Sequence, residues 1–209
     1  ALETSQFAKV FGLEAPSAEG YFLPDTYIFD PDEADLVIYQ RAFAAMQKQL
    51  TNAWDLYTKG YPDGAVLKNS YQLLILASII ENETGQSSER GMISAVFHNR
   101  LKKGMMLQTD PTVIYGIGPK FDGDIKKADL RRDTPYNTYM RFGLPPTPIA
   151  MPSKESLLAA AQPAVSNALY FVARGDGSSQ FSTNLKEHEA AVDRYQRNPA
   201  KSASKPVRK

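Results

Sequence analysis

Two glutamates, Glu81 and Glu83, stand at the end of the stretch QLLILASIIENETG, Gln72 to Gly85. The nearly unbroken apolar run before them reads as a helix buried on most sides, so a carboxylate at its end lies at the edge of a low-dielectric interior. Burial there favours the neutral acid. The partial negative charge at the carbonyl end of a helix and the second glutamate two residues away push the same way. A carboxylic acid that stays protonated near neutral pH is what general acid catalysis requires. Two residues on a helix correspond to about 200° of rotation at ~100° per residue. Glu81 and Glu83 therefore point to nearly opposite sides and cannot flank one bond together. For glycosidic chemistry, either one of them acts alone or a second carboxylate comes from elsewhere, Asp110 in QTDPT being the best candidate. The competing reading is ordinary: a glutamate at a helix C-terminus is commonly a solvated group or a partner for Arg or Lys.

The other reactive side chains narrow the choice. The 209-residue chain has no cysteine, which removes thiol catalysis, disulfides and thiolate metal sites. With only His98 and His188 a multi-histidine metal site is poorly supported, although carboxylate sites remain open in principle. His98 reads as a satisfied histidine at the edge of a helix beside Val96, Phe97 and Arg100, and His188, next to Glu187, as a surface residue. Tyr136 and Tyr139 in YNTY can stack on sugar rings or pack beneath a proline-rich loop, and the residue types alone leave both open. GDGSS resembles a phosphate loop only superficially, lacking the lysine and the helix that should follow. Lys and Arg total 24 against 23 Asp and Glu, so there is no basic excess of the kind nucleic-acid binding needs. No stretch reaches the ~20 apolar residues of a membrane span and no signal peptide opens the chain. The opening ALETSQFAKVFG, without an initiator Met, reads as the middle of something longer.

The elements that must position these groups follow from periodicity and punctuation. Leu36, Tyr39, Phe43, Met46, Leu50 and Trp54 recur at helical spacing after an acidic start at Asp32, predicting a long amphipathic helix that KGYPDG ends. Asn69 or Ser70 can cap the buried helix and Gly85 can close it. A further helix is predicted through ERGMISAVFHNRLKKG, with Met92, Ile93, Val96, Phe97 and Leu101 inward and Gly104 at its end. Between Met105 and Ser153 the prolines argue against regular helix and permit short strands at most. Ser153 can cap a helix over KESLLAAAQ that Pro163 ends. ALYFVA, RGDGSS and QFST read as strand, turn and strand, and Thr183 or Asn184 can start a last helix with Leu185, Val192 and Tyr195 inward. The tail NPAKSASKPVRK has no apolar periodicity and is expected to be disordered. The fold class is α+β: a helix-rich domain with a small β-hairpin and long proline-rich loops.

Six blocks, EGYFLPDTY, LASIIENET, ERGMISAVFHNRLKKGMMLQTDPTVIYGIG, YNTYMRFGLPPTPIAMP, SLLAAAQPA and LYFVARGDGSSQFSTNLKEH, occur in one order and resemble the catalytic region of the MltG (YceG-like) endolytic murein transglycosylases. The resemblance implies a domain over residues 19–197, with a lead-in over 1–18 and a basic tail over 198–209. It implies cleavage of the β-1,4 bond between N-acetylmuramic acid and N-acetylglucosamine within nascent peptidoglycan strands, leaving 1,6-anhydro ends. The glutamate of the family's E-x-E-T motif falls on Glu83, which the resemblance makes the catalytic acid and then base, in a mechanism that needs no metal or cofactor. Glu81, Gln108, Thr109, Asp110, Tyr136 and Asn137 are the groove-lining candidates, since amides and hydroxyls can bond sugar hydroxyls and acetamides. Family members also carry a membrane-spanning helix and a LysM-like domain. The implied setting is therefore a single-pass protein of the inner membrane with its catalytic part in the periplasm, working beside peptidoglycan synthases. The chain departs from the family pattern at AMPS, Ala150 to Ser153, and at Ser179, where a histidine is usual. The rival readings are a muramidase-type hydrolase with Asp110 as second carboxylate and a non-catalytic glycan-binding module.

Overall fold

The computed structural model describes residues 10–13, 17–61, 65–83 and 86–197. Its centre is the helix that carries the two glutamates. Asn69 caps it, Oδ1 accepting from the Gln72 N–H at 2.9 Å, and the helix, α2, spans Ser70–Glu83. Every residue from Leu73 to Ile80 is buried, so this helix is enclosed rather than amphipathic. Each such leucine or isoleucine contributes roughly 1.5–3 kcal/mol by leaving water. Ser78 is the one hydroxyl in that run. It is satisfied twice, donating to the Ile75 carbonyl at 2.7 Å and accepting from the Ile149 N–H at 3.0 Å, which pins the proline-rich loop to the helix.

Four helices enclose α2. The long helix α1, Asp35–Gly60, lays Ala42, Met46, Leu50, Ala53 and Tyr57 against the core, a stripe at helical spacing. Leu36 and Tyr39, expected on that inner face, are instead exposed, because the first turns run past the edge of the core. A 3₁₀ turn over Ser87–Glu89 leads into α3, Arg90–Lys102, which buries Ile93 through His98 and also Arg100. Gly104 ends it at φ 64°, a left-handed conformation that suits glycine and lets the Met105 N–H reach back to the Arg100 carbonyl at 2.8 Å.

The segment after Gly104 differs from the expectation of strands at most. Asp110–Ile117 is a helix, α4, followed by a 3₁₀ turn over Gly118–Lys120 and a short helix α5, Lys127–Arg131. Pro111 does not prevent α4 because it occupies the first turn, where its missing N–H would have had no intrahelical partner. The expected loop follows, and α6, Lys154–Ala161, starts at Ser153, whose Oγ accepts from the Ser156 N–H. This helix packs more closely on α2 than any other element does.

Strands β1, Tyr170–Ala173, and β2, Ser179–Ser182, form the expected antiparallel hairpin, with Tyr170 opposite Ser182 and Ala173 opposite Ser179. Asn99 and Arg100 of α3 donate to the carbonyls of Ser166, Ala168 and Leu169 and so anchor the approach to β1. Asn184 caps the last helix, α7, Leu185–Val192, accepting from the Glu187 N–H at 3.0 Å while the Glu187 carboxylate accepts from the Thr183 N–H at 3.0 Å. Among the described residues the architecture is mostly helical with one two-stranded sheet, the helix-rich α+β class read from the pattern. The expected Gly85 helix stop and the tail over 198–209 lie outside the described residues. No helix among the described residues is long and apolar enough to cross a membrane.

Candidate active site

The two glutamates leave α2 on opposite sides, as their spacing requires. Glu81 turns toward α6. Its Oε2 accepts from the Ser153 N–H at 2.9 Å and from the Ser153 hydroxyl at 2.6 Å, and its Oε1 lies 3.9 Å from the Arg90 guanidinium. Partial burial works to raise its pKa, but the bonds from Ser153 and Ser156 and the charge of Arg90 outweigh it and hold the carboxyl below its usual value. Glu81 is thus an ionised tie between two helices. Ser153, one of the departures from the pattern the chain resembles, supplies both donors.

Glu83 turns toward α4, where its Oε1 accepts from the Thr109 hydroxyl. Burial is the main influence on it, and the nearby Asp110 charge acts in the same sense. Thr109 and the more distant positive charge of Arg100 oppose them without prevailing, and the pKa is pushed up to about 7. A substantial fraction of Glu83 is therefore protonated at neutral pH, the state a proton donor needs.

Glu83 opens into a cleft of about 500 Å³ whose other walls come from across the chain: Gln108 just before α4 and Asp110 at its start, Tyr139 in the loop, Arg100 of α3, Tyr170 of β1 and His188 of α7. Gln108 holds φ at 49°, a left-handed conformation uncommon outside glycine. The Thr138 carbonyl fixes the Gln108 N–H and the Thr138 hydroxyl fixes the Thr109 N–H, each at 3.1 Å. That kink aims Thr109 at Glu83. Asp110 accepts from the Tyr139 hydroxyl at 2.6 Å. Burial, then the bond and charge of Asp110, push the Tyr139 phenol well above its usual value, so it remains a donor. Arg100 is buried, its Nε and Nη1 each 2.6 Å from a backbone carbonyl, of Leu169 and Leu107. Among the described residues no group of three or more His, Asp or Glu side chains is placed to hold a metal ion.

Of the groove-lining candidates read from the sequence, Gln108 and Asp110 face the cleft and Thr109 bonds Glu83. Glu81, Tyr136 and Asn137 do not line it. Tyr136 sits under the loop, its hydroxyl 2.8 Å from that of Thr147 and its ring 4.9 Å from Tyr115. Asn137 is buried, and its amide donates to the carbonyls of Asp129, Leu130 and Arg132, so its hydrogen-bonding capacity is spent on holding the loop. His98 is a satisfied core histidine with Nε2 2.9 Å from the Ala160 carbonyl. His188 corrects the surface reading: it is half-buried in the cleft, stacked on Tyr170. Two signals were available. Ile93, Phe97 and Arg100 follow one another at i, i+4, i+7, and Leu185, His188 and Val192 at i, i+3, i+7, each on one helix face.

Residues 2–194 match the YceG-like family. A protein of Bacillus subtilis (strain 168) named endolytic murein transglycosylase is 41% identical over 177 residues, covering 85% of this chain and 48% of that protein. One of the same name from Streptococcus pneumoniae (strain ATCC BAA-255 / R6) is 32% identical over 180 residues, covering 83% of this chain and 31% of that protein. The crystal structure of a yceG-like protein from Listeria monocytogenes superposes with a TM-score of 0.72 at 38% identity, covering 85% of this chain and 56% of that one. The chain thus spans about half the length, or less, of the relatives it matches.

Proposed function

The chain belongs to the YceG-like family, and from that premise we propose that it is the catalytic region of an endolytic peptidoglycan lytic transglycosylase in which Glu83 alone serves as acid and then base. The observation that carries the reading is Glu83 itself: a carboxyl with its pKa pushed to about 7, opening into a cleft large enough for sugar units. Protonated Glu83 donates to the glycosidic oxygen as the bond from C1 of N-acetylmuramic acid breaks, and the substrate's 2-acetamido group supports the positive charge developing at C1. The Glu83 carboxylate then takes the proton of the C6 hydroxyl as that oxygen bonds to C1, closing the 1,6-anhydro ring and regenerating the acid. No water enters the products. Burial supports both halves of the cycle, since a group with pKa near the working pH gives up and takes back a proton with little cost either way.

The substrate in this reading is the nascent glycan strand outside the cytoplasmic membrane, and cleavage there terminates elongation beside the synthases that make it. Incubating the protein and its Glu83→Gln variant with uncrosslinked glycan strands, and reading the products by mass spectrometry, tests the proposal. Shorter strands with 1,6-anhydro-muramic ends from the parent protein alone are expected. Reducing ends would replace the lyase with a hydrolase and direct attention to Asp110. Cleavage that persists in the variant would remove Glu83 from the mechanism.

A further inference from the structure

The far wall of the cleft holds two hydrogen-bonding groups that the reaction at Glu83 does not use. His188 Nδ1 is buried and has no hydrogen-bond partner among the described residues. Leaving such an atom unpaired is costly, so its retention calls for a physical reason. The ring is also held in place: it stacks on Tyr170 with centroids 5.1 Å apart and planes 21° from parallel, and the Arg100 guanidinium lies 5.1 Å from the same tyrosine ring. All three residues line the cleft. Arg100 gives Nε and Nη1 to backbone carbonyls, while Nη2 makes no hydrogen bond and no carboxylate lies within ion-pair distance among the described residues.

We propose that His188 and Arg100 form a saccharide-binding subsite of the Glu83 cleft, taking a hydroxyl and the acetamido carbonyl of an N-acetylhexosamine unit next to the bond that Glu83 cleaves. The inference rests on reading the cleft as a glycan site. Burial, then the charge of Arg100, lower the His188 pKa against a weaker opposing pull from Glu189, so the imidazole is neutral at pH 7. A neutral imidazole offers either a lone pair or an N–H at Nδ1, and a sugar hydroxyl, both donor and acceptor, satisfies either tautomer. A guanidinium N–H suits an amide carbonyl, and Tyr170, Leu185 and Val192 give apolar surface to the C–H face of a pyranose. A strongly anionic ligand fits worse, because Asp110 shares the cleft and the imidazole carries no charge to help Arg100.

The test separates binding from cleavage. In the Glu83→Gln background, titration calorimetry with a soluble hexasaccharide of alternating N-acetylglucosamine and N-acetylmuramic acid measures affinity without consuming the ligand. His188→Phe keeps a ring to stack on Tyr170 and removes both nitrogens; it is expected to weaken Kd about tenfold without lowering the unfolding temperature. His188→Asn, which restores a donor and an acceptor near Nδ1, is expected to recover part of that loss. In the Glu83-intact enzyme His188→Phe should raise KM by a similar factor and leave kcat within about twofold. Unchanged Kd and KM in His188→Phe, whether or not its stability shifts, would make the histidine structural and overturn the inference alone. Failure of the Glu83→Gln protein with His188 intact to bind the hexasaccharide would overturn the inference together with the functional reading beneath it.

Discussion

Glu81 and Glu83 belong to the last turn of one helix, yet the α2–α6 junction holds the pKa of the first below its usual value while the α2–α4 cleft raises that of the second to about 7. Burial is the largest influence on both, and Glu83 is much the more deeply buried of the two. The donors each carboxylate meets widen that difference. Glu81 receives a backbone N–H, a hydroxyl and the charge of an arginine, whereas Glu83 receives one hydroxyl and faces another carboxylate. The cleft thus withholds donors from Glu83, and the helix junction supplies them to Glu81.

The strongest way to break this comparison is to make both residues amides. Glu83→Gln should lower the cleavage rate about 10³-fold, the scale of lost acid–base catalysis, with the fold intact by circular dichroism. Glu81→Gln should cost at most about tenfold, through displacement of α6. Equal losses would end the assignment of distinct roles.

Next in size are the stabilities. The amide at Glu81 keeps one acceptor but loses the charge-assisted bonds from Ser153, so Glu81→Gln should destabilise by about 1–3 kcal/mol near neutral pH. Ser153→Ala should do the same in part, and the two changes together should cost less than their sum in urea unfolding. Because the folded pKa of Glu81 is depressed, this contribution is present above its unfolded value near 4.5 and fades as pH falls through the folded pKa. Additive losses would mean that the pair is not coupled.

Glu83 has the opposite sign. Its folded pKa of about 7 lies above the ordinary 4.5, so between those values the native state holds more of this proton than the unfolded chain and stability falls as pH rises. Glu83→Gln removes that cost. The variant should match the parent below pH 4.5 and become the more stable by about 3 kcal/mol by pH 7 and above. A pH-independent difference between them in urea unfolding would contradict the raised pKa.

The smallest expected effect sharpens the role of Thr109. Its hydroxyl lowers the Glu83 pKa against the larger push of burial, so Thr109→Val should move the alkaline limb of the kcat/KM profile upward from about 7. The rate itself should change only a few-fold. A limb that stays in place would show that the hydroxyl does not bear on the proton.

Much of the scaffold was legible because it follows local rules. The apolar run of α2, the caps at Asn69, Ser153 and Asn184 and the Gly/Asp turn of the hairpin each carry their physical reason within a few residues. Helix α4 escaped because Pro111 was weighed as a breaker when its position in the first turn made it harmless. The cleft was less legible. The stripes that turn Arg100 and His188 inward are written in their own helices, but that the two stripes meet over Tyr170 follows only from how α7 packs on the hairpin.

By itself the sequence determined that a buried helix ends in two glutamates facing opposite ways, because helical rotation per residue is a local property of the backbone. Which of the two has its pKa raised was decided by the tertiary structure. A pKa depends on the donors and charges within a few ångströms, and these arrive from Thr109, 26 residues from Glu83, and Ser153, 72 residues from Glu81.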